Sequence, residues 1–500
     1  MAVALYDVLQ KRHAILRSFP IIGHFRYLLE SVGPELRQYI VTDNNEERPF
    51  TRHQRRWIYA SSKKENNYFG FGTDNDLEGT SNFIILKHRV MGGGHQAHGE
   101  AYGKAGALKK YPLPCAKILG GPRGRARAFR PRSAVNISAM SFGSLSSAAV
   151  IALNQGAEIA GCLHNTGEGG ISPYHQRGGE LVWQIGTGYF GCRTDDGGFN
   201  LDLFLERVEA NPVRAVEIKL SQGAKPGLGG MLPGAKVTKE IAEIRGVPVG
   251  EDVYSPAAHS AFKNVDEMLD FVEMLAEATG LPIGIKSAVG EHHFWEELAN
   301  LMARKDRGVD FITIDGGEGG TGAAPLAFSD HVALPFKVGF ARVYRILAES
   351  GVHEDVVFMG SGRLGLPAAA MVAFALGCDT INVAREAMMA VGCIQAQRCH
   401  TGHCPTGVAT QNRWLVRGLD PTWKAARVAN YVTTLRKEIL QLSRASGVGH
   451  PGLLSGDMVE ILDGRFGSTT LTELFAYRPG WGFPSEADRR EIMEVMESLA

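Results

Sequence analysis

The sequence predicts an α/β protein built on a (β/α)8 (TIM) barrel, with an N-terminal extension and a C-terminal helical segment. Three observations carry that prediction. From about Ala134 onward, short β-type runs alternate with helical stretches. Almost every run ends in a cluster of Gly, Lys, Asp, Ser or Arg, which suits a barrel that gathers its chemistry at the C-terminal ends of its strands. The chain has 500 residues, enough for one elaborated barrel, and 61 glycines, an excess that implies many tight turns and close backbone approaches to ligands. Alternation alone would also fit a doubly wound sheet; the polar strand ends favour the barrel.

Four regions follow in order: 1–75, 76–132, 133–411 and 412–500. The first is rich in charge and aromatics, with a basic run through Arg52, Arg55, Arg56, Lys63 and Lys64 that reads as a solvated surface or, failing that, a docking surface for a membrane or partner. Within it, the spacing of Leu28, Leu29, Val32, Leu36 and Ile40 predicts a helix over 25–41, broken or kinked at Gly33 and Pro34. The second region is a connection rich in Gly, His and Pro; it contains His95 and His98, which lack a third matched metal ligand. In the third, strands are expected at 134–138, 215–220, 282–286, 311–314, 356–359 and 380–383, and 264–279 has helical periodicity. The fourth reads as helical for much of its length and is expected to cap the barrel.

Composition excludes several classes. Lys plus Arg and Asp plus Glu are both 53, so no bulk charge favours nucleic acid or a membrane surface, and any charge chemistry must be local. Asp7, Lys11, Arg12 and His13 interrupt the N-terminal apolar residues, so no signal peptide is expected, and the most apolar run, 368–377, is too short to span a bilayer. A cytoplasmic protein is the expectation. Seven cysteines, an odd number, argue against a secreted disulfide scaffold.

Cys115, Cys162, Cys192 and Cys378 are scattered, whereas Cys393, Cys399 and Cys404 fall in GCIQAQRCHTGHCPTGVATQ with C-x5-C-x4-C spacing. Thiolates on so short a loop can wrap one inorganic cluster. The options are a three-iron cluster, a four-iron cluster with an open site, or a zinc site completed by His400 or His403.

This loop is similar to the one that holds a 3Fe-4S cluster in glutamate synthases, and the likeness extends backward. ISAMSFG (137–143), NTGEGG (165–170), IKLSQGAKPGLGGMLPG (218–234) and IDGGEGGTGAAP (314–325) resemble that family's motifs in the family's order. Several independent strings in order are far more specific than any one Gly-rich string. The resemblance covers roughly 133–411 and is to the FMN-binding synthase domain, most closely to stand-alone proteins of that domain type.

The family implies FMN, an iron-sulfur cluster and reductive amination of 2-oxoglutarate to L-glutamate. By that resemblance Ala139, Met140 and Ser141 lie beside the flavin ring and Lys286 near its electron-rich edge. Gly360, Ser361, Gly362 and Arg363, with Ala384 and Arg385, are the phosphate candidates, because barrel phosphate sites form after strands seven and eight, and Gly316 and Gly317 in the IDGGEGG string are further cofactor-binding candidates. Lys225 and Arg245 match carboxylate-binding positions, with Lys219 and Gln222 close by, and Glu168 matches a glutamate at the reacting end. Two substrate carboxylates need about two cations in a partly dehydrated pocket.

Two departures qualify the likeness. The short N-terminal region, with Ala2 at position 2, does not match the family's glutaminase, and no GxGxxG unit for NAD(P)H appears. The expectation is therefore that free ammonia or a separate amidotransferase supplies nitrogen, and that a partner such as a ferredoxin or reductase subunit supplies electrons; a homo-oligomer is also compatible. Second, Leu228 replaces the family's glutamate and Met231 its glutamine, which leaves room for a less polar substrate or an N-methylglutamate-type reaction. A non-catalytic electron-transfer or assembly subunit is another alternative, against which Lys225, Arg245 and Glu168 speak, and a zinc-stabilised barrel without flavin is the last.

Overall fold

The computed structural model describes residues 1–10, 14–91 and 111–499; His95 and His98 lie outside the described residues. It divides into two compact units, Met1–Trp57 and Ile58–Ala500.

In the smaller unit, helices Ala2–Leu9, Ala14–Ser18 and Ile22–Leu36 lead into a π-helical turn, Arg37–Val41. The helix does not break at Gly33 and Pro34. Pro34 lies inside it, and the missing proline N–H is followed by the π turn, a change of hydrogen-bond register rather than a stop. Asp7 is fully buried and accepts from the Ile21 N–H (2.9 Å) and His24. That clamp holds Ile21 at a φ of 65°, a strained conformation for a β-branched residue.

The larger unit contains a closed barrel of eight parallel strands. In chain order these are β1 Val135–Ile137, β2 His164–Asn165, β3 Leu181–Ile185, β4 Val213–Lys219, β5 Ile283–Ser287, β6 Phe311–Asp315, β7 Val357–Ser361 and β8 Thr380–Val383. Neighbours pair in sequence order, and β8 closes on β1 with Ile381 opposite Val135. The expected strands are all present. β2 and β3 were not anticipated: β2 has two residues, too few to show a period, and polar Gln184 interrupts the apolar run of β3.

Helices return the chain between strands, and local chemistry sets their ends. Ser146 accepts from the Ala149 N–H at the start of helix Ser147–Ala160, and Gly161 ends it in the left-handed conformation. Asn264 caps Val265–Thr279, the helix expected from periodicity. Helix Pro421–Ala445 lies so close to Ser147–Ala160 that a Cβ on Gly156 would sit 2.6 Å from Val428 Cβ. The C-terminal residues also contribute strands Val459–Leu462 and Ser468–Thr470, which form a small sheet with Phe83–Leu86. Among the described residues no helix is long and apolar enough to cross a membrane.

Candidate active site

Register brings the strand ends level. Lys219 on β4 is paired with Lys286 on β5, and Asp315 on β6 with Ser361 on β7; all four side chains are buried. Alternation along β4 puts Glu217 on the same face as Lys219, one layer deeper. Its carboxylate accepts from Asn165 Nδ2 (2.8 Å), Gln184 Nε2 (2.6 Å) and Thr313 Oγ1 (2.6 Å), so three neutral donors satisfy a fully buried charge. Burial works against the Lys286 ammonium, but Asp315 at 3.5 Å and Glu217 outweigh it and hold its pKa above the ordinary value. Burial likewise opposes the Asp315 charge; Lys286, the Gly223 N–H (2.9 Å) and the Ser361 hydroxyl prevail and keep it ionised.

Glu168 stands in the loop after β2, where Lys219 Nζ donates to its Oε1 (2.6 Å) and also to Gln222 Oε1 (2.7 Å). The carboxylate is tightly enclosed: a Cβ on Gly186 would lie 2.5 Å from one of its oxygens and a Cβ on Gly230 3.0 Å from the other. Burial pushes its pKa up, and Lys219, Lys225 and Arg245 together pull it below the usual value. Among the described residues neither Lys225 nor Arg245 forms an ion pair, although both are buried. Arg245 donates through Nη2 to the Phe142 carbonyl (3.2 Å), while its buried Nε has no hydrogen-bond partner. Burial lowers its pKa to about 10, and burial together with Lys219 lowers that of Lys225. Three cations thus face one carboxylate, a local surplus of two positive charges with an unused N–H donor.

The end of β1 is pinned beside this group. Met140 N–H donates to the Asn165 carbonyl (3.1 Å), and the Met140 carbonyl accepts from His175 Nε2 (2.9 Å). Gly167, with a φ of +68°, passes so near that a Cβ there would be 2.8 Å from Ser141 N. Across the mouth, the Gly316 N–H donates to the Ser361 carbonyl (2.9 Å), joining the glycine loops after β6 and β7. Arg385 Nη2 donates to the Glu318 carbonyl. Burial lowers the Arg385 pKa, and the nearby Arg363 lowers it further; Arg363 also depresses Lys337, which burial already lowers. Arg363 thus repels both Arg385 and Lys337, while Glu318 acts against the shift at both and Glu386 and Asp315 at Arg385; a phosphate dianion would relieve the repulsion that remains.

Cys393, Cys399 and Cys404 follow β8 at the same end. The loop is tied down by Tyr59 Oη donating to the Cys393 carbonyl (2.9 Å), Lys236 Nζ donating to the Cys399 carbonyl (2.9 Å) and Gln411 Nε2 donating to the Gly143 and Leu145 carbonyls (3.1 and 2.9 Å). The Gln395 N–H points at Cys393 Sγ (3.4 Å). Burial raises the Cys404 thiol, but N–H groups of Ala409, Thr406 and Val408 and the Thr406 hydroxyl bring it below the ordinary value. Among the described residues no three His, Cys, Asp or Glu side chains gather around the position of a single ion, and His400 and His403 are exposed.

The conserved region of glutamate synthase matches residues 125–449, which takes in the whole barrel and the cysteine loop. The chain belongs to the glutamate synthase family. Membership makes it an oxidoreductase of glutamate synthase type. Among its relatives, the glutamate synthase large subunit-like protein YerD of Bacillus subtilis is 38% identical over 90% of both chains. The archaeal glutamate synthase [NADPH] of Methanocaldococcus jannaschii is 36% identical over 65% of this chain, which spans only 61% of that protein's length. A mandelate oxidase variant with a monooxide FMN adduct, 12% identical, is matched over 89% of this chain and 99% of that one at a TM-score of 0.42, too distant to carry any argument.

Of the residues singled out in this glutamate synthase family chain, Glu168, Lys219, Gln222, Lys225 and Arg245 form one group. Lys286 feels the Glu168 charge, so that group adjoins the strand-end layer. Arg363 and Arg385 come together, as do the three cysteines, whose thiols influence one another. Sequence reasoning missed Glu217, Asp315, His175, Lys236 and Lys337. Asp315 is the second residue of the IDGGEGG string and Glu217 falls within the strand expected at 215–220, so both could have been found there; the other three sit in stretches with no distinctive pattern.

Proposed function

We propose that the protein binds FMN across the C-terminal mouth of its barrel, holds an iron-sulfur cluster on Cys393, Cys399 and Cys404, and converts 2-oxoglutarate and ammonia through 2-iminoglutarate to L-glutamate. The observation that carries this reading is the convergence of Lys219, Lys225 and Arg245 on Glu168, with an unused buried Arg245 Nε–H. A dicarboxylate would neutralise the surplus charge and satisfy that donor.

The residues present fit both cofactors. Arg363, Arg385 and Lys337 would hold the phosphate; Ala139, Met140 and Ser141 would line the ring, with Gly316, Gly317, Gly360, Ser361, Gly362 and Ala384 shaping the loops around it. Lys286 supplies a buried cation for the reduced ring's charge. The N–H donors aimed at Cys393 and Cys404 are of the kind that stabilise cluster thiolates, and a cluster spreads its ligands more widely than one zinc ion does. Bound there, FMN would supply hydride to the imine carbon and the cluster would return electrons to the flavin.

The chain's own residues do the rest. Lys225 and Arg245 bind the two carboxylates and fix the ketone's orientation. Glu168, ionised and held by Lys219, takes in turn the two protons that the attacking ammonia nitrogen gives up and passes each to the former ketone oxygen, which leaves as water. Gln222 keeps the Lys219 ammonium aimed at Glu168. A partner protein supplies electrons, and ammonia comes from solution or from a separate amidotransferase.

The test is anaerobic reduction of the purified protein's flavin followed by 2-oxoglutarate and ammonium. Flavin reoxidation with L-glutamate formed supports the reading; FMN and iron without reoxidation rejects the substrate. One observation favours a second substrate. A Cβ on Gly230 would lie 3.0 Å from the Glu168 carboxylate, and its neighbours Leu228 and Met231 are exposed apolar residues on the same segment. A larger or N-alkylated amine in place of ammonia would suit that rim, and product analysis with methylammonium distinguishes the two.

A further inference from the structure

The N-terminal unit exposes an unusual amount of apolar surface. On helix Ile22–Leu36, residues Ile22, Phe25, Leu29, Val32 and Leu36 recur at helical spacing, so they share one stripe, yet all are exposed, Ile22 by 76% and Phe25 by 61%. The short helix Ala2–Leu9 exposes Val3, Leu5, Tyr6, Val8 and Leu9, and Phe19, Ile21, Ile40 and Val41 extend the surface through the adjoining turns. A folded unit that buries Asp7 while exposing these side chains is built to meet something apolar.

We propose that this unit lies on an anionic lipid surface, with the stripe of helix Ile22–Leu36 and helix Ala2–Leu9 seated at the headgroup boundary. Three observations choose lipid over another protein. The apolar residues of Ala2–Leu9 point in nearly every direction, which a lipid interface can cover and a flat protein face cannot. The stripe runs for only 15 residues, about two heptads, too short for a stable coiled coil with a second copy. The exposed charges beside it are Arg17, Arg37 and the Arg26–Glu30 pair (2.8 Å), which leaves the balance positive. Arginines flanking an apolar stripe match the amphipathic helices that lie in a membrane plane and favour anionic headgroups. The absence of a spanning helix among the described residues agrees with lying on the bilayer rather than crossing it.

The full chain is mixed with vesicles of phosphatidylcholine alone or with one third phosphatidylglycerol, and binding is read by co-sedimentation. Binding at least ten-fold stronger to the anionic vesicles is expected, lost ten-fold or more in Phe25→Glu/Leu29→Glu and weakened towards the neutral-vesicle level in Arg26→Glu/Arg37→Glu. These side chains are exposed, so the variants should keep the parent's circular dichroism and Tm. No vesicle binding by the parent overturns the proposal, and so does binding that neither variant reduces. A dimer dispersed by Phe25→Glu/Leu29→Glu, without vesicle binding, assigns the surface to a second copy and also overturns it.

Discussion

Lys219 Nζ lies 2.6 Å from Glu168 Oε1, and the same ammonium holds Gln222 at 2.7 Å. The acid-base candidate of the site is therefore locked in its ionised form by a cation that is itself oriented. The consequence is that Glu168 stands unprotonated beside Lys225 and Arg245, the state a proton acceptor needs.

Replacing Glu168 by Gln keeps the shape and the hydrogen bond to Gln222's partner but removes the proton acceptor. A fall in kcat of about 100-fold or more is expected, with FMN content unchanged. A variant retaining near-parental kcat would remove Glu168 from proton transfer.

Lys225→Ala and Arg245→Ala each delete a buried cation of the carboxylate group. Loss of about 2 kcal/mol or more, roughly thirty-fold in Kd for 2-oxoglutarate, is expected for each. Titrating the oxidised flavin's absorbance with 2-oxoglutarate measures it; unchanged affinity would mean that the dicarboxylate binds elsewhere.

Cys393→Ala, Cys399→Ala and Cys404→Ala should each lower iron and acid-labile sulfide while leaving FMN bound, because all the ring and phosphate candidates except Ala384 and Arg385 lie on other segments, and those two precede the cysteine loop. Zinc without sulfide in the parent protein would replace the cluster by a single-ion site.

Lys236 is buried and donates to the Cys399 carbonyl (2.9 Å), which places a positive charge against the cysteine loop. A cation there favours the reduced, more negative cluster. Lys236→Met is expected to shift the cluster's midpoint potential downward with iron content unchanged, read by redox titration monitored by electron paramagnetic resonance. An unmoved potential would limit Lys236 to holding the loop.

Acid should destabilise the fold early. Burial lowers His175 and His450 to about 4, and lowers His164 as well, so these imidazoles are neutral in the native state while in the unfolded chain they titrate near 6.5. The unfolded state binds more protons below pH 6.5, and stability falls there by about 1.4 kcal/mol per pH unit for each histidine. Burial raises Asp310 to about 6, so below that pH it takes a proton in the native state and offsets part of the loss. Urea unfolding at pH 7.5, 6.5 and 5.5 should therefore show little change over the first step and a drop over the second. Equal stability at pH 6.5 and 5.5 would contradict the neutral histidines.

The barrel was legible because the strands from 311 to 383 are continuous apolar runs, as parallel strands covered on both faces must be. The limits of that reading are physical. Gln184 looks like an outward polar residue that ends a strand, but in the closed barrel it points inward and donates to Glu217 (2.6 Å). His175 and Met140 are 35 positions apart, and nothing local announces that the imidazole holds the Met140 carbonyl. Gly33 and Pro34 were read as a break or kink; the chain accommodates Pro34 within a helix and changes register after it.

By itself, then, the sequence determined the alternation that makes a barrel, the loop with three closely spaced cysteines and the identity of the cations, since each depends on residue type and short-range spacing. Only the tertiary structure decided that Lys219, Lys225 and Arg245 surround Glu168, that Asp315 holds Lys286, and that Lys236 and Gln411 tie the cysteine loop to the mouth of the barrel. Those relationships depend on which strand ends lie level and which loops meet above them. Register and barrel closure set that arrangement through contacts between residues far apart in the chain.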